Sequence, residues 1–251
     1  MTRLLGLEFA DLSLEEAADW VLNRPAGAAF DYMVTPNADH FVRLRRRPEL
    51  MPLYRNAALC CLDSRVVARA ARMIGLAAPQ VVTGSDLVAA VLRRVPAGSG
   101  VTVIGLRREF LGAVVARCGV AVSGHLDPPA GFDLDPAAMD AAVAFVLAHP
   151  ARLVLLAVGS PRQEKLAAAI KATGQATGLG LCVGAGLDFL SGAARRAPVW
   201  MRQAGLEWLH RLTRDPRRLA RRYLRDDPPV FAMLLAERWW SAPGSEGARP
   251  T

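Results

Sequence analysis

An acidic side chain follows one of the short apolar runs in this sequence, in a position to act on a bound substrate. Asp63 comes directly after the run AALCCL and precedes a helical pattern. A carboxylate placed there could be a general base for a substrate hydroxyl group. It could equally be the N-cap of the next helix, or a carboxylate favoured by a nearby helix dipole. From the local sequence alone, the cap is the preferred interpretation.

Polar side chains also follow two other runs. Thr35 and Asn37 bracket a proline, which ends a strand abruptly and turns both side chains toward one edge. Their hydroxyl and amide groups suit a sugar or a uracil ring, although ordinary turn chemistry explains them as well. Gln163 and Glu164 in GSPRQEK could hydrogen-bond a sugar or a nucleobase, while a first-turn glutamate also favours a helix by itself.

Two glycines stand between a strand pattern and a helix start. Gly105 in VIGLRREF and Gly159 in VGSPRQEK could leave backbone N–H groups facing a phosphate. Neither stretch has the GxGxxG fingerprint, and neither is a GxxxxGK[ST] loop, so a dehydrogenase or a P-loop enzyme is disfavoured.

The residues that could bind a metal are poorly placed for it. Asp133 and Asp135 form a DxD motif, but it lies in a turn rich in proline and glycine, and Asp135 is better explained as an N-cap. The histidines lack ligand spacing; they are His40, His125, His149 and His210. We therefore predict neither a required metal nor a cofactor.

The positive charge of the chain is concentrated near its C-terminal end. Between Arg195 and Arg225 there are ten arginines against Glu207 and Asp215, a balance of +8 that equals the formal charge of the whole protein. Such a surface suits an anionic partner. Helical spacing of apolar residues predicts one helix from about Val199 to Arg214 and another from about Pro216 to Arg225.

Three kinds of anion fit this basic stretch. Arginine binds diphosphates in a bidentate manner. An anionic membrane is also suited, because the apolar run PPVFAMLLAERWW follows. Nucleic acid fits by charge, but no RRM, KH or helix-turn-helix signature accompanies it. The preference for arginine over lysine could also reflect GC-rich coding alone.

These residues must be positioned by alternating strands and helices. Near-continuous apolar runs predict the strands, which are Phe30 to Thr35, Ala57 to Leu62, Gln80 to Gly84, Val101 to Gly105, Val120 to Gly124, Arg152 to Gly159 and Gly180 to Ala185. Helical patterns lie between most of them, and Ser13 is a plausible N-cap for the first helix. The alternation predicts an α/β, Rossmann-like fold: a mainly parallel sheet covered by helices, with a basic helical C-terminal appendage. Ligands in such folds bind beyond the carboxyl ends of the strands.

Composition supports a globular chain. It has 251 residues, 52% of them hydrophobic and 22% charged, which predicts one large domain or a domain with a small appendage. The cysteines have neither CxxC spacing nor histidine partners, so buried reduced thiols are expected. Acidic residues near the start disfavour a signal peptide, and no apolar run would span a bilayer. A cytoplasmic protein is therefore expected, one that meets a membrane only from its surface.

Taken together, these segments resemble the WecG/TagA/CpsF glycosyltransferases, glycosyltransferase family 26. The resemblance is densest in GAGLDFLSGAARRAPVWMRQAGLEWLHRLTRDPRRLARRYL, which is similar to the long C-terminal signature of the family. TPNADH, LDSRVVARAARMIG, VVTGSDL, VTVIG and LAVGSPRQEK follow in the family's order and spacing. The resemblance covers about residues 30 to 225.

The resemblance implies a reaction and its partners. It implies transfer of a sugar from a UDP-linked donor to a polyprenyl-diphosphate-linked sugar at the inner face of the cytoplasmic membrane, with inversion and without a metal. The donor sugar would be N-acetylmannosamine, its uronic acid or glucose. Residues 1–194 would form the catalytic domain, 195–242 an acceptor- and membrane-binding appendage, and 243–251 a disordered tail. Nucleic acid would not be a partner, and a homo-oligomer is left open.

The resemblance also implies roles for individual residues. Asp63 matches the proposed catalytic base, Thr35 and Asn37 match polar residues of the pocket, and Gln163 and Glu164 fall in the donor-side element. Candidates for gripping the diphosphate of the acceptor are Arg214, Arg218, Arg221 and Arg222. Asp188 and Arg196 also lie in the signature. They could form a structural salt bridge, or they could contact the substrate.

Two departures from the family pattern are visible. The usual PDG around the base is here Leu62-Asp63-Ser64, which predicts a stiffer turn, and Leu187 replaces a usual phenylalanine. The alternative to an enzyme is a non-catalytic protein that binds nucleotides or nucleic acid through the basic helices.

Overall fold

A computed structural model describes residues 1–240, without the side chains of Arg218 and Trp240. The tail expected at residues 243–251 lies outside the described residues.

The described chain is an α/β fold built on a six-stranded sheet, as the sequence predicts. Every neighbouring pair in this sheet is parallel, in the order β4-β3-β8-β7-β5-β6. Its strands are β3 (Asp31–Val34), β4 (Leu59–Cys60), β5 (Gly100–Gly105), β6 (Ala121–Leu126), β7 (Leu153–Ala157) and β8 (Leu179–Cys182). A separate antiparallel hairpin precedes them and consists of β1 (Thr2–Leu4) and β2 (Leu7–Phe9).

Helices separate and cover the strands. They are α1 (Leu14–Asn23), α2 (Ala38–Arg46), α3 (Met51–Arg55), α4 (Arg65–Met73), α5 (Gly84–Arg94), α6 (Arg108–Cys118), α7 (Pro136–Ala148), α8 (Arg162–Ala172), α9 (Gly186–Ser191), α10 (Val199–Gln203), α11 (Glu207–Arg214), α12 (Pro216–Arg221) and α13 (Pro229–Trp240). A π-helical turn, Arg222–Asp226, joins α12 toward α13.

Alternate strand residues divide the core into two layers, because successive side chains of a strand point to opposite faces. Val154 and Leu156 of β7 pack with α2, α4 and α8 on one face. Leu153 and Leu155 pack with α1, α5 and α9 on the other. Burial on both faces explains why these strands appear as continuous apolar runs in the sequence.

The loops after three central strands leave toward different faces of the sheet. The loops after β3 and β7 lead to α2 and α8 on one face, whereas the loop after β8 leads to α9 on the other. Loops that diverge in this way open a crevice at the carboxyl ends of the strands, where ligands bind in open α/β sheets.

Several helix starts follow the expected capping chemistry. Ser13 caps α1 in a capping box with Glu16, as predicted. Asp135 caps α7 by accepting from the Ala137 amide, the role preferred for it over metal binding.

Three sequence predictions were wrong in detail. Gln80 to Gly84 is not a strand: Val81 makes an isolated bridge to Leu62, and Thr83 caps α5. The helix expected from Val199 to Arg214 is broken between α10 and α11, where Gly205 has a φ of +74°. The helix expected to run to Arg225 changes to π-helical geometry at Arg222.

We call residues 195–240 the C-terminal segment. Its last helix packs on α2 and α4, with Val230 and Leu234 buried in the core. The Glu237 carboxylate accepts a hydrogen bond from the Leu5 amide at 2.7 Å, so the segment returns to the N-terminal hairpin. Arg69 of α4 donates to the Gln203 carbonyl at 2.7 Å and also to that of Ala204.

Candidate functional site

Thr35 and Asp63 meet at the carboxyl ends of adjacent strands β3 and β4. The Asp63 amide donates to the Pro36 carbonyl at 2.9 Å, which ties the two strand ends together. The Thr35 hydroxyl donates to the Cys182 carbonyl at the end of β8, at 3.4 Å. A hydroxyl and a carboxyl group therefore lie at the ends of β3 and β4, beside the point between β3 and β8 where the strand order predicts a crevice.

The carboxylate of Asp63 does not cap the helix that follows it. Ser64 is the N-cap of α4 and accepts from the Val67 amide at 3.2 Å. Asp63 instead accepts a hydrogen bond from the Gly84 amide at 3.1 Å, at the N-terminus of α5. The cap interpretation is thus wrong, and the alternative of a carboxylate at a helix N-terminus is confirmed.

Burial raises the pKa of Asp63 to about 7, despite the hydrogen bond from Gly84. Glu207 of α11 raises that pKa further, while Arg211 one turn later opposes it. A carboxyl group with a pKa near neutrality can both take up and release a proton at physiological pH. Sequence analysis missed Glu207 and Arg211, because only the fold brings α11 near Asp63.

Gly84 is required by close packing at this corner. A Cβ atom there would lie 2.8 Å from the Thr35 hydroxyl oxygen and 3.6 Å from the Val183 backbone. The absence of a side chain therefore lets the N-terminus of α5 approach both Thr35 and Asp63. The VVTGSDL motif was the signal, although it was interpreted as a strand end.

Asn37 is held by a histidine that the sequence analysis dismissed as a scattered metal candidate. Asn37 is the N-cap of α2, and its Oδ1 lies 2.8 Å from Nδ1 of His40. Burial, together with the nearby Arg43 and Arg222, lowers the pKa of His40 well below its usual value, so the ring is neutral at pH 7. Nε2 of His40 lies 3.8 Å from Oε1 of Glu164.

Gln163 and Glu164 are buried beneath the crevice. The side-chain oxygen of Gln163, Oε1, accepts from the Gly184 backbone amide at 3.0 Å, and the side-chain nitrogen of Gln163, Nε2, donates to Glu164 Oε1 at 3.0 Å. Glu164 is 1% exposed, and burial raises its pKa. Its Oε2 has no hydrogen-bond partner among the described residues. The pair fixes the loop after β8 relative to α8.

Ser160 is the centre of a further polar cluster beside Glu164. Its hydroxyl oxygen accepts from Nη1 of Arg43 at 2.8 Å and lies 3.0 Å from the Tyr54 hydroxyl. These residues come from α2, α3 and the loop after β7, so no local spacing could have revealed the cluster.

The two predicted phosphate-facing glycines have different surroundings. Gly105 has a φ of +88°, and a Cβ atom there would lie 2.8 Å from the Ala157 carbonyl group, so close strand packing requires glycine. Gly159 has a φ of +77° and faces the Arg162 side chain, in the loop that leads to α8. Gly105 is followed by α6 only after Leu106 and Arg107.

The proposed arginines are distributed unevenly. Arg222 reaches the crevice, with Nη2 3.5 Å from both Asn37 Oδ1 and Asp39 Oδ2. Arg214 and Arg221 are exposed. Arg218 belongs to α12, and its side chain lies outside what the structure describes.

Arg196 fixes the beginning of the C-terminal segment, residues 195–202, which we call its root. It donates to Asp86 at 2.6 Å, and Arg202 donates to the same oxygen at 3.1 Å. Burial opposes ionisation of Asp86, but the hydrogen bonds from Arg196 and Thr83 outweigh it and lower its pKa. Asp188 lies in α9, where its carbonyl accepts from Ser191 and Ala194.

Metal-ligating side chains do not gather anywhere in residues 1–240: no group of three His, Cys, Asp or Glu residues could hold an ion there. Asp133 of the DxD motif pairs with Lys165 at 2.8 Å. Within the same range, the helices are too short or too polar to cross a bilayer.

A comparison with protein families finds a match over nearly the whole chain. The sequence model described as the glycosyl transferase WecG/TagA/CpsF family matches residues 2–243, nearly the whole chain. The match extends over the strand-end residues, over Arg196 and Arg202 in the C-terminal segment, and over the hairpin that precedes the sheet.

Proposed function

The chain belongs to the WecG/TagA/CpsF family of glycosyltransferases, enzymes of cell-surface polysaccharide biosynthesis with a sugar-nucleotide donor and a lipid-linked acceptor, and we propose that Asp63 is its general base. The single observation that carries the proposal is the Asp63 carboxyl group at the strand ends, where it accepts from the Gly84 amide and where burial raises its pKa to about 7. Membership in a family of enzymes favours catalysis over the non-catalytic alternative.

The reaction inverts the anomeric centre in one displacement. The acceptor hydroxyl oxygen attacks the anomeric carbon while the bond to the nucleoside diphosphate breaks. The hydroxyl proton passes to the carboxylate of Asp63, and the leaving diphosphate takes the bonding electrons. A base with a pKa close to the working pH is well matched to this transfer.

The donor is a UDP-sugar held at the strand ends. Thr35 and Asn37 offer a hydroxyl and an amide to the sugar or the uracil ring. His40 and Arg222 contact Asn37, which keeps its side chain in place without substrate. The buried pair of Gln163 and Glu164 supports the same crevice from below.

The acceptor is a polyprenyl-diphosphate-linked saccharide bound by the C-terminal segment. Residues 1–194 are the catalytic body, and residues 195–242 are the acceptor- and membrane-binding appendage. Arginines neutralise diphosphate charge in place of a metal; they are Arg214, Arg218, Arg221 and Arg222. The loss of transfer in a chelator would contradict this metal-independent scheme.

Peripheral contact with the inner face of the cytoplasmic membrane is part of the proposal. Phe231, Leu235 and Trp239 are 42%, 58% and 77% exposed and lie one turn apart along α13. Trp200 on α10 is 63% exposed. Such residues, next to arginines, suit an anionic membrane surface. A dimer of this chain could instead cover the same residues. Vesicle flotation detects membrane binding, and light scattering detects the dimer, so the two measurements together separate these outcomes.

Replacing Asp63 by Asn tests the base directly. The change keeps an acceptor for the Gly84 amide but removes the proton-accepting carboxylate, so turnover should fall by about 100-fold or more. Asp140→Asn is the control, since Asp140 is an exposed carboxylate on α7. Donor binding, measured by a thermal shift with a panel of UDP-sugars, should persist in both variants. Near-wild-type turnover of Asp63→Asn would remove Asp63 from this role.

A further inference from the structure

A second concave site lies on the opposite face of the sheet from His40 and Glu164. It is a cavity of about 290 Å³ between α5, α6 and α9. Its lining includes four arginines, Arg93, Arg117, Arg196 and Arg202, and no acidic side chain. Asp86 lies outside this lining and accepts hydrogen bonds from two of the four, Arg196 and Arg202.

Two arginines of the lining have unused hydrogen-bond donors. The Nε atoms of Arg196 and Arg202 are buried and lack a hydrogen-bond partner among the described residues. A buried donor without a partner costs free energy, and an added acceptor would recover it. Nη1 of Arg117 donates to the Leu190 carbonyl at 2.7 Å, which holds that guanidinium at the wall of the cavity.

We propose that this cavity binds a phosphate or diphosphate group, as a site separate from the crevice at Asp63. Guanidinium groups match phosphate oxygens with paired hydrogen bonds, and four of them around one cavity favour a multiply charged anion. The ligand is either a soluble phosphate compound or the headgroup of an anionic lipid. The proposal rests on the charge and shape of the cavity, and it stands whether or not Asp63 is the base.

Cys118 gives a local readout, since its thiol lies in the lining of the cavity. It is partly buried, whereas Cys60, Cys61 and Cys182 are buried, so a neutral maleimide should label Cys118 first. Burial raises the pKa of Cys118, and Arg93 and Arg117 oppose that shift. Each variant is therefore compared with its own unliganded labelling rate.

The experiment measures the rate of Cys118 labelling in the full chain by N-ethylmaleimide, at constant ionic strength. Pyrophosphate at about ten times its Kd should slow labelling about tenfold, because free sites become that scarce. Vesicles of phosphatidylcholine with phosphatidylglycerol form the second arm, with phosphatidylcholine alone as their control. Protection by pyrophosphate identifies a soluble ligand, and protection by anionic vesicles alone identifies a lipid headgroup.

Arg93→Glu should weaken this protection about tenfold or more, since it reverses one charge of the cavity. Arg93 is an exposed arginine in the last turn of α5, so the fold should tolerate the change. Arg45→Glu is the matched control, an exposed arginine in the last turn of α2. Absence of protection in both arms would overturn the proposal. Equal protection in wild type and Arg93→Glu would also overturn it, because the anion would then act from elsewhere.

Discussion

The crevice at the strand ends and the C-terminal segment are held in place by different forces. In the crevice, Asn37, Asp63 and Gln163 have partners within the body of the fold at 2.8 to 3.1 Å. The root of the segment is held by ion pairs of Arg196 and Arg202 with Asp86. Buried hydrogen bonds are weakly affected by salt, whereas partly exposed ion pairs are screened by it. The strand-end residues are therefore preorganised, while attachment of residues 195–202, where the segment begins, depends on ionic strength.

The largest expected effect comes from removing two exposed arginines that we propose to bind the acceptor, Arg214 and Arg221. Arg214→Gln combined with Arg221→Gln should lower kcat/KM for a lipid-diphosphate acceptor by about 100-fold or more, as two charge-assisted contacts are lost. Arg225→Gln, an exposed arginine of the same segment, is the control. Donor affinity should not change. If it fell in parallel, the segment would bind the donor rather than the acceptor.

The pH dependence of transfer by the wild-type protein tests the ionisation of Asp63, separately from the C-terminal segment. Asp63 must be ionised to accept a proton, and its pKa is about 7. We therefore expect kcat/KM to rise with pH and level off above neutrality, with a value at pH 6 about tenfold below the plateau. Initial rates from pH 5.5 to 8.5 measure it. The residual activity of Asp63→Asn should lack this rise; if the rise persists, another group titrates.

Asp86→Asn tests the ion pairs that connect the C-terminal segment to α5. It removes the ionised partner that Arg196 and Arg202 share, so kcat/KM for the lipid-linked acceptor should fall severalfold, in line with a partly exposed ion-pair network. The remaining activity should depend less on salt than that of the wild type. Asp19→Asn, which affects an exposed ion pair with Arg94, is the control. An unchanged salt dependence would show that Asp86 does not govern docking.

The smallest effect is one of stability. Folded Asp63 keeps its proton up to about pH 7, whereas the unfolded residue loses it near pH 4, so ionisation costs stability as pH rises between these values. Asp63→Asn should raise the free energy of unfolding at pH 8 by on the order of 2 kcal/mol, the full shift being reduced by partial solvent access. At pH 4 the variant should match wild type. Urea unfolding at both pH values measures this, and equal stabilisation at both would refute the assignment.

The sequence predicted the parallel sheet because its strands are buried on both faces and form uninterrupted apolar runs. It missed the hairpin of β1 and β2, whose three-residue strands are too short for alternation to be visible. It also joined α10 to α11, although Gly205 with its φ of +74° is a local signal for a helix end; Arg69 of α4 donates to the Gln203 and Ala204 carbonyls at the break. That contact spans more than a hundred residues and leaves no local pattern.

The site was predictable to the extent that it lies at strand ends. Thr35, Asn37 and Asp63 were selected as candidates because loops after parallel strands gather at one edge, and the structure places them at the ends of neighbouring strands. The support beneath them was not predictable. His40, Tyr54 and Ser160 come from separate elements, and tertiary packing alone brings them together near Glu164.

The hydrogen bond from Leu5 to Glu237 also has a consequence for biosynthesis, because it joins residues 232 positions apart. Translation at roughly 5–20 residues per second delivers the first of these partners about ten to fifty seconds before the second. During that interval the N-terminal hairpin has emerged from the ribosome without the helix that clasps it. The last helix therefore closes the protein as a late step, after the strands of the sheet have all been synthesised.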